Sequence, residues 1–500
     1  MSTAKKFAGQ TAVYGLTTIL PRILSFFLTP VYVKVFSAGT YGILNTMFAW
    51  TSMLNPLLAF GMETTFFRYL NKHPERKQTV FDNAFGVVLF MIVLFLVLTL
   101  PWLGHIADLV TIDDKTSQAQ YILYVKLFIA ILVLDAIAVV PFAQIRGEGR
   151  PGRYGLIKVL NILVFVGLNL FFIFGVPLVI EYKLLGWEWM NSWYIKGWLG
   201  YVFVSNLVAS ALTLIMLAPQ LSKVKLKIDR PLLMEMLSYS WPVLIANFSF
   251  IINENLDKLL LGKLLPLKQS SIQVGIYTCC GKIAVFLNIF IQAFRLGAEP
   301  FFFSNAQHKN SGQIYARIMN YFVIAVCVIF VALVANIEIL KYFVKADNPV
   351  QKALYWSGLK VVPILLFGYL SLGIYMNLSV WYKLSDQTRY GLYISGIGAI
   401  ITIVLNVIFI PYYGYMACAW VSLAAYTGMA VLSYIWGQKN YPIPYNIKKN
   451  MAYIVSSVVI VYLSFMVFKR NIFIGNGLLM VYALTAFYFE RKELLSIFRR

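Results

Sequence analysis

The sequence predicts an all-α polytopic membrane protein with about fourteen transmembrane helices. Of its 500 residues, 60% are hydrophobic and only 12% are charged, and the mean hydropathy is +0.74. Apolar segments near 20 residues, which suffice to cross a hydrocarbon core of about 30 Å, recur to the end of the chain. Because soluble domains carry about 25% charged residues, this composition excludes a soluble enzyme, a disordered chain, a coiled coil and a secreted disulfide scaffold.

The spans follow from the positions of the apolar segments. They are predicted at 10–33, 42–62, 80–102, 120–143, 155–177, 197–217, 239–261, 275–297, 319–343, 355–380, 391–411, 414–436, 450–468 and 472–489. With the N-terminus inside, about 25 loop Lys and Arg residues lie on the inner side and about 10 on the outer side. This bias predicts that both termini are cytoplasmic.

The net charge of +22 would indicate nucleic acid in a soluble protein. Here the basic residues form short clusters between apolar segments rather than one basic face, so nucleic acid is not an expected partner. The four cysteines lie in apolar segments without CxxC spacing, and the three histidines are far apart, so no metal site is expected. No loop exceeds about 22 residues, which leaves no room for an extramembrane catalytic domain. The sequence therefore predicts that the protein is not an enzyme.

An internal repeat relates the start of the second span to the start of the eighth. Tyr41-Gly42-Ile43-Leu44 opens one, and Val274-Gly275-Ile276-Tyr277 opens the other. The spans end in the similar strings at 59–67 and 293–303. An offset of six spans preserves orientation, so the repeat predicts two parallel halves; chance similarity between apolar segments is the alternative.

Ionisable residues inside the spans are candidates for function, since each costs about 2.5 to 3.5 kcal/mol at a helix centre. Arg22 lies in mid-span with no acid within one helical turn. Thr18, Arg22 and Ser25 share one face of the first helix, which we expect to border a hydrated cavity. Interhelical pairing, for example of Arg22 with Asp135, is the alternative.

The seventh and eighth spans carry further charges. Glu254 and Lys258 have the i, i+4 spacing of an ion pair, whereas Asp257 lies on another face and is a candidate for ion coupling. In the eighth span Arg295 and Glu299 have the same spacing, and Lys282 has no such neighbour. Stripes of uncharged polar residues are further candidates for lining a cavity. For those of the second span, packing between helices is the alternative role. Their members are Asn45, Ser52 and Asn55 in the second span and Asn288 and Gln292 in the eighth.

Seven short motifs together resemble a known family. They are Leu20-Pro21-Arg22, Thr40-Tyr41-Gly42-Ile43, Gly61 with Arg68, Asp257-Lys258, Val274-Gly275-Ile276-Tyr277, Glu299-Pro300-Phe301 and Ile410-Pro411-Tyr412-Tyr413-Gly414. In this order over about 400 residues, the chain resembles the polysaccharide-biosynthesis flippases, the O-antigen or repeat-unit exporters of the multidrug/oligosaccharidyl-lipid/polysaccharide (MOP) exporter superfamily. Lys258 stands where this family would have an arginine, which weakens a bidentate phosphate contact there.

The resemblance implies two six-helix bundles, residues 1–220 and 221–437, around a central cavity, and two further helices in 438–500. It implies alternating access that moves a polyprenyl-diphosphate-linked oligosaccharide across the bacterial inner membrane for polysaccharide or lipopolysaccharide assembly. The partners would be this lipid-linked oligosaccharide, the lipid bilayer and a polysaccharide polymerase with its assembly proteins.

Roles for the candidate residues follow from the charge of such a substrate. Arg22, Lys282 and Arg295 would hold the diphosphate, which cannot cross lipid unaided. The side chains that would wet the sugars are Thr18, Ser25, Asn45, Ser52, Asn55, Asn288 and Gln292. Asp257, Glu254 and Asp135 are candidates for ion coupling or gating. No cofactor is expected; coupling to H⁺, Na⁺ or membrane potential stays open.

Three alternatives remain. A drug or cation antiporter of the same superfamily would need an acidic cavity lining. The second alternative is the peptidoglycan-precursor flippase, which is related to these exporters. A membrane glycan polymerase or ligase would need a sizeable outer loop with catalytic residues, which the sequence does not offer.

Overall fold

The computed structural model describes residues 24, 26–304, 310–385 and 387–498, with side chains omitted at 296, 299, 300, 303, 304 and 492–498. The described residues are mostly α-helical, and eleven of their helices are long and apolar enough to cross a membrane. Two more, Ala38–Ala59 and Arg230–Leu264, are long enough but less apolar. The prediction of an all-α polytopic membrane protein is therefore confirmed.

The chain forms two compact units, Met1–Gly275 and Ile276–Arg500. The helices of the first unit are α1 (Phe26–Val35), α2 (Ala38–Ala59), α3 (Met62–Lys72), α4 (Lys77–Thr99), α5 (Leu103–Val110), α6 (Gln118–Gly147), α7 (Pro151–Leu170), α8 (Val176–Glu181), α9 (Trp187–Trp193), α10 (Gly200–Leu221) and α11 (Arg230–Leu264). Helix α11 packs against α2, α3 and α4, so the boundary between units falls later in the chain than the predicted repeat boundary at residue 220. The division into 1–220, 221–437 and 438–500 stays a prediction.

Helix α12 (Leu267–Ser304) continues through the boundary into the second unit. The helices that follow it are α13 (Ser311–Ala335), α14 (Ile337–Leu340), α15 (Pro349–Ser357), α16 (Val362–Leu378), α17 (Val380–Leu384), α18 (Arg389–Tyr413), α19 (Tyr415–Asn440), α20 (Ile447–Tyr462) and α21 (Ile472–Phe498). Gly414, with φ of 56°, makes the turn between α18 and α19 at the division that the sequence predicts.

A sharp break separates α2 from α3. Phe60 and Gly61 both adopt left-handed backbone conformations, with φ of 46° and 66°. A Cβ on Gly61 would lie 3.0 Å from the carbonyl oxygen of Ser240 on α11. Glycine at this position therefore serves both the left-handed turn and the close packing against α11. The break redirects the chain, and α3 starts with Glu63 in its first turn.

The two glycines of the sequence repeat make a reciprocal contact between α2 and α12. A Cβ on Gly42 would lie 1.9 Å from the carbonyl oxygen of Ser271, and a Cβ on Gly275 would lie 1.9 Å from the carbonyl oxygen of Ala38. Each glycine thus contacts the carbonyl four residues before the other. This reciprocity matches the equivalence of the two motifs predicted from the sequence, and small residues let helix backbones approach this closely.

The loop before α11 is tied to the start of α4. Asn83 and Asp229 exchange two hydrogen bonds, each 3.0 to 3.1 Å, between side chain and main chain. Asp229 also caps α11 by accepting from the Leu232 N–H at 3.0 Å, and it pairs with Arg76. The buried Asp82 carboxylate accepts from the Lys225 N–H at 3.0 Å. These contacts fix where α11 enters the unit.

Alanine at Gly42 or Gly275 is expected to destabilise the protein, because the added methyl group meets a main-chain oxygen that cannot move alone. We expect a loss of about 1 to 3 kcal/mol, seen as a lower thermal unfolding midpoint in detergent. Gly167→Ala is the matched control, since nothing lies within 4 Å of its Cβ position and alanine favours a helix. Equal midpoints for all three variants would contradict the contact.

The cap at Asp229 should make stability depend on pH. The Leu232 N–H and the Arg76 guanidinium hold the pKa of this carboxyl below its ordinary value. A depressed pKa stabilises the fold above the unfolded value of about 3.9 and ceases to do so as the pH falls through the folded value. We expect the difference in midpoint between wild type and Asp229→Ala to stay nearly constant from pH 7 to pH 5 and to shrink as the pH falls below about 4. Asp114→Ala, at an exposed acid, is the control and should show no such trend.

Candidate functional site

The first unit contains an open cavity of about 720 Å³ with a mixed polar and apolar lining. Helices α2, α6, α7, α10 and α11 and the first turn of α3 contribute to it. Its volume lies within the range of about 300 to 1,000 Å³ that is usual for ligand-binding sites. The cavity is therefore large enough for an organic ligand.

Polar side chains reach the cavity because each helix carries them at intervals of three and four residues. Tyr154, Lys158 and Asn161 do so on α7. Asn206, Ser210 and Thr213 repeat the same 4 and 3 spacing on α10. Residues spaced in this way share one face of a helix. The lining is thus built from the polar faces of otherwise apolar helices.

Hydrogen bonds connect the lining of α6, α7 and α10. The Ser210 hydroxyl donates to the Asp135 carboxylate at 2.8 Å, and the Asn161 amide donates to the Thr213 hydroxyl at 3.0 Å. The Lys158 ammonium lies 4.2 Å from the centre of the Phe142 ring, close enough for a cation–π interaction.

Charges in the lining balance one another in part. Lys158 interacts electrostatically with both Asp135 and Glu63. Glu63 also pairs with Arg146. Half-buried charges of opposite sign stabilise each other where water is scarce. The cavity therefore contains a connected set of charges rather than isolated ones.

Four of the residues predicted from sequence line this cavity. They are Ser52, Asn55, Asp135 and Glu254. Asn45 is half-buried on the same helix as Ser52, and its amide donates to the Tyr41 carbonyl at 2.7 Å. Arg22, Thr18 and Ser25 lie outside the described residues, so their predicted roles stay predictions.

Asp257 and Lys258 form an ion pair near the end of α11. The Asp257 carboxylate is buried, with 3% exposure, and accepts from the Lys258 ammonium at 3.0 Å. The same ammonium donates to the main-chain carbonyl of Glu254 at 2.5 Å. Lys258 thus reaches back one turn, as the i, i+4 spacing with Glu254 predicts, but the carboxylate that it pairs with here is that of its neighbour Asp257.

The predicted residues of α12 belong to the second unit and are not among the residues that line this cavity. The Gln292 amide donates to Asn288 at 3.3 Å, and Lys282 is half-buried. Arg295 lines a separate small cavity of about 20 Å³ together with Asn377 and Lys383. The Nε atom of Arg295 is buried and has no hydrogen-bond partner among the described residues. A volume of this size holds about one water molecule.

Lys158, Asn161, Asn206 and Thr213 are among the lining residues that sequence reasoning missed. Lys158 falls near the start of the span predicted at 155–177, where a lysine is usual, whereas α7 begins at Pro151 and places it two turns into the helix. The signal that could have found all four is the 4 and 3 spacing of polar residues within α7 and α10. That pattern is weak when the residues are uncharged.

No group of three or more His, Cys, Asp and Glu side chains in the described part of the chain has an arrangement that could hold a metal ion. The cavity offers hydrogen-bonding amides and hydroxyls, aromatic rings, three acidic side chains and one lysine. Side chains of these kinds suit a polar ligand.

Solved structures of membrane transporters share this fold. The structure titled lipid II flippase MurJ, in an inward closed conformation, matches with a TM-score of 0.73 and 13% identity over 97% of this chain and 100% of that one. An inward-facing multidrug resistance MATE family transporter of the MOP superfamily matches with a TM-score of 0.64 and 14% identity over 86% and 95%. The outward-facing conformation of a transporter with the same description gives 0.58 and 14% over 90% and 96%. The fold is that of the MOP superfamily.

Family profiles lead to the same superfamily from the sequence. The profile described as polysaccharide biosynthesis protein matches residues 7–305, and the MatE profile matches residues 242–408. The first match covers more than half of the chain, so this protein belongs to the polysaccharide biosynthesis protein family. The resemblance predicted from the sequence is thereby confirmed. No curated protein sequence matches the chain.

Cysteine labelling can check that water fills the cavity. The four native cysteines are all buried, so they give a low background. We expect Asn206→Cys, in the lining, to react with a charged, water-soluble thiol reagent in detergent. Ala209→Cys is the matched control, because Ala209 lies nearby on α10 but is fully buried. Equal labelling of the two variants would show that the cavity is not hydrated.

Proposed function

We propose that the protein is a flippase that moves a polyprenyl-diphosphate-linked oligosaccharide across the bacterial inner membrane for polysaccharide or lipopolysaccharide assembly. The observation that carries this proposal is the cavity of about 720 Å³, partly polar and large enough to hold water or sugars, among the membrane helices of a polysaccharide biosynthesis protein. A glycan headgroup cannot cross hydrocarbon, because each unsatisfied polar group there costs several kcal/mol. A polar cavity replaces the lost water.

The parts of the substrate would occupy different surroundings. The cavity lining would bind the sugars, and the polyprenyl chain would stay in the bilayer. Arg22, Lys282 and Arg295 are our candidates for the diphosphate, because cations bind phosphate oxygens through charge-assisted hydrogen bonds. Alternating access would expose the cavity to one side of the membrane at a time. The excess of basic residues in the predicted inner loops supports cytoplasmic termini.

Coupling is assigned to acidic residues as part of the same proposal. Asp135, Glu254 and Asp257 are candidates for sensing H⁺ or Na⁺, and a net charge carried across the membrane would also respond to the potential by about 2.3 kcal/mol per 100 mV. A polysaccharide polymerase on the outer side would receive the product. No cofactor is required for this movement.

A drug or cation antiporter is the second candidate. The MatE match and the three lining acids Glu63, Asp135 and Glu254 favour it, since a cationic substrate needs negative charge. The polysaccharide biosynthesis profile covers more of the chain, which favours the flippase. A peptidoglycan-precursor flippase is the third candidate, because the structure titled lipid II flippase MurJ has a fold similar to that of this chain.

Reconstitution into proteoliposomes separates these functions. We expect the protein to flip a fluorescent polyprenyl-diphosphate oligosaccharide, measured by quenching of the outer leaflet, and to leave lipid II and a cationic dye where they are. Transport of the dye alone would establish the antiporter. Flipping of lipid II alone would establish the precursor flippase.

Arg22→Ala tests the predicted diphosphate site. Loss of the guanidinium should reduce flipping at least about tenfold without lowering the amount of protein in the membrane. Lys196→Ala, in a predicted outer loop, removes a positive charge elsewhere and should have no effect. Normal flipping by Arg22→Ala would remove this residue from the site.

A further inference from the structure

The cavity of the first unit is equipped to bind hydroxyl groups. Five asparagine side chains line it, namely Asn55, Asn161, Asn206, Asn247 and Asn255. Each side-chain amide offers two donors and an acceptor with two lone pairs, so Asn161 keeps capacity after its bond to Thr213. Sugar hydroxyls both donate and accept, and amides satisfy both roles. This lining therefore suits a ligand with many hydroxyl groups.

Aromatic and small hydroxyl side chains lie beside these amides. Phe142, Tyr154 and Phe250 present rings to the cavity, and Ser52 presents a hydroxyl. The flat apolar faces of sugar rings pack on aromatic rings. Amides and rings together allow a neutral sugar to be bound without any contribution from charge.

The charges of the lining argue against an anionic ligand. The charged residues among the described lining are Glu63, Asp135 and Glu254 against Lys158. Lys158 already interacts with Asp135 and Glu63, and Glu63 has Arg146 as a second partner. The described lining thus has no excess of positive charge, although the whole chain carries +22. An added carboxylate would lie close to three carboxylates, and like charges at short range disfavour one another.

We infer that this cavity selects uncharged sugars and rejects uronic acids, so that the transported repeat unit is neutral where it contacts the first unit. The inference rests on the proposed flippase function and names the chemical class of its glycan. Specificity here comes from repulsion of the wrong ligand as well as from hydrogen bonds to the right one.

Two matched ligands test the selection. The full-length protein in lipid nanodiscs is titrated with a polyprenyl diphosphate that carries a neutral glucose-containing trisaccharide. The second ligand is identical except that a terminal glucose is replaced by glucuronate, which exchanges one CH₂OH for a carboxylate. We expect the neutral ligand to bind about tenfold more tightly at pH 7, because like charges in contact disfavour a partner strongly.

Charge variants should move this ratio in opposite directions. Glu254→Gln and Asp135→Asn should bring the two affinities closer, whereas Lys158→Gln should separate them further. Glu188→Gln removes an acid from α9, outside the cavity, and should leave the ratio unchanged. The ratio of two affinities for one preparation does not depend on how much of a variant folds. If these residues had only a structural role, the acid variants and the lysine variant would not shift the affinity ratio in opposite directions.

The outcomes separate this inference from the proposed function. A wild-type protein that binds the uronate ligand as tightly as the neutral one overturns the selection and leaves the flippase function standing. A third ligand, the polyprenyl diphosphate without sugar, shows how much affinity the lipid headgroup supplies. Failure of all three ligands to bind overturns both the inference and the proposed function.

Discussion

The absence of water in the bilayer core is the constraint on which the rest of this structure depends. Hydrocarbon cannot hydrate a carboxylate, an ammonium or an amide, so each of these groups needs a protein partner or a pocket of water. Asp135 accepts from Ser210, Asp257 pairs with Lys258, and Lys158 lies over Phe142 beside two acids. Helices α2, α6, α7, α10 and α11 turn polar faces toward one cavity, and their apolar faces are then left for lipid or for each other.

Much of the fold could be predicted from hydropathy, because the length of an apolar run is fixed by membrane thickness. The turn at Gly414 and the helix starts at Lys77, Arg389 and Ile472 lie close to the predicted limits. Hydropathy does not predict the position of the boundary between the two units. That position depends on α11 packing against α2 and α3, which is a tertiary contact with no periodic signature in the sequence.

Only part of the site could be predicted, because the candidate residues were selected mainly as charged residues inside the predicted spans. Asp135 and Glu254 were recognised because acids are rare inside spans, and both line the cavity. Asn206 and Thr213 are ordinary in a membrane helix. Their spacing shows that they share a face, but only the packing of α10 against α6 and α7 shows that this face borders a cavity. Lys158 was missed because it lies near the end of a span, where lysine is usually explained by its contact with headgroups. The partner of Lys258 depends on a side-chain rotamer, which spacing alone does not determine.

The reciprocal approach of Gly42 and Gly275 limits how this protein can evolve. The atoms that obstruct a larger residue at either position belong to the main chain, namely the carbonyl groups of Ser271 and Ala38. No exchange of a neighbouring side chain can create space there, as it often can in an apolar core. A lineage that loses either glycine has reversion or a displaced helix as its routes to recovery. The two motifs are thereby held to glycine at these positions, whatever residues surround them.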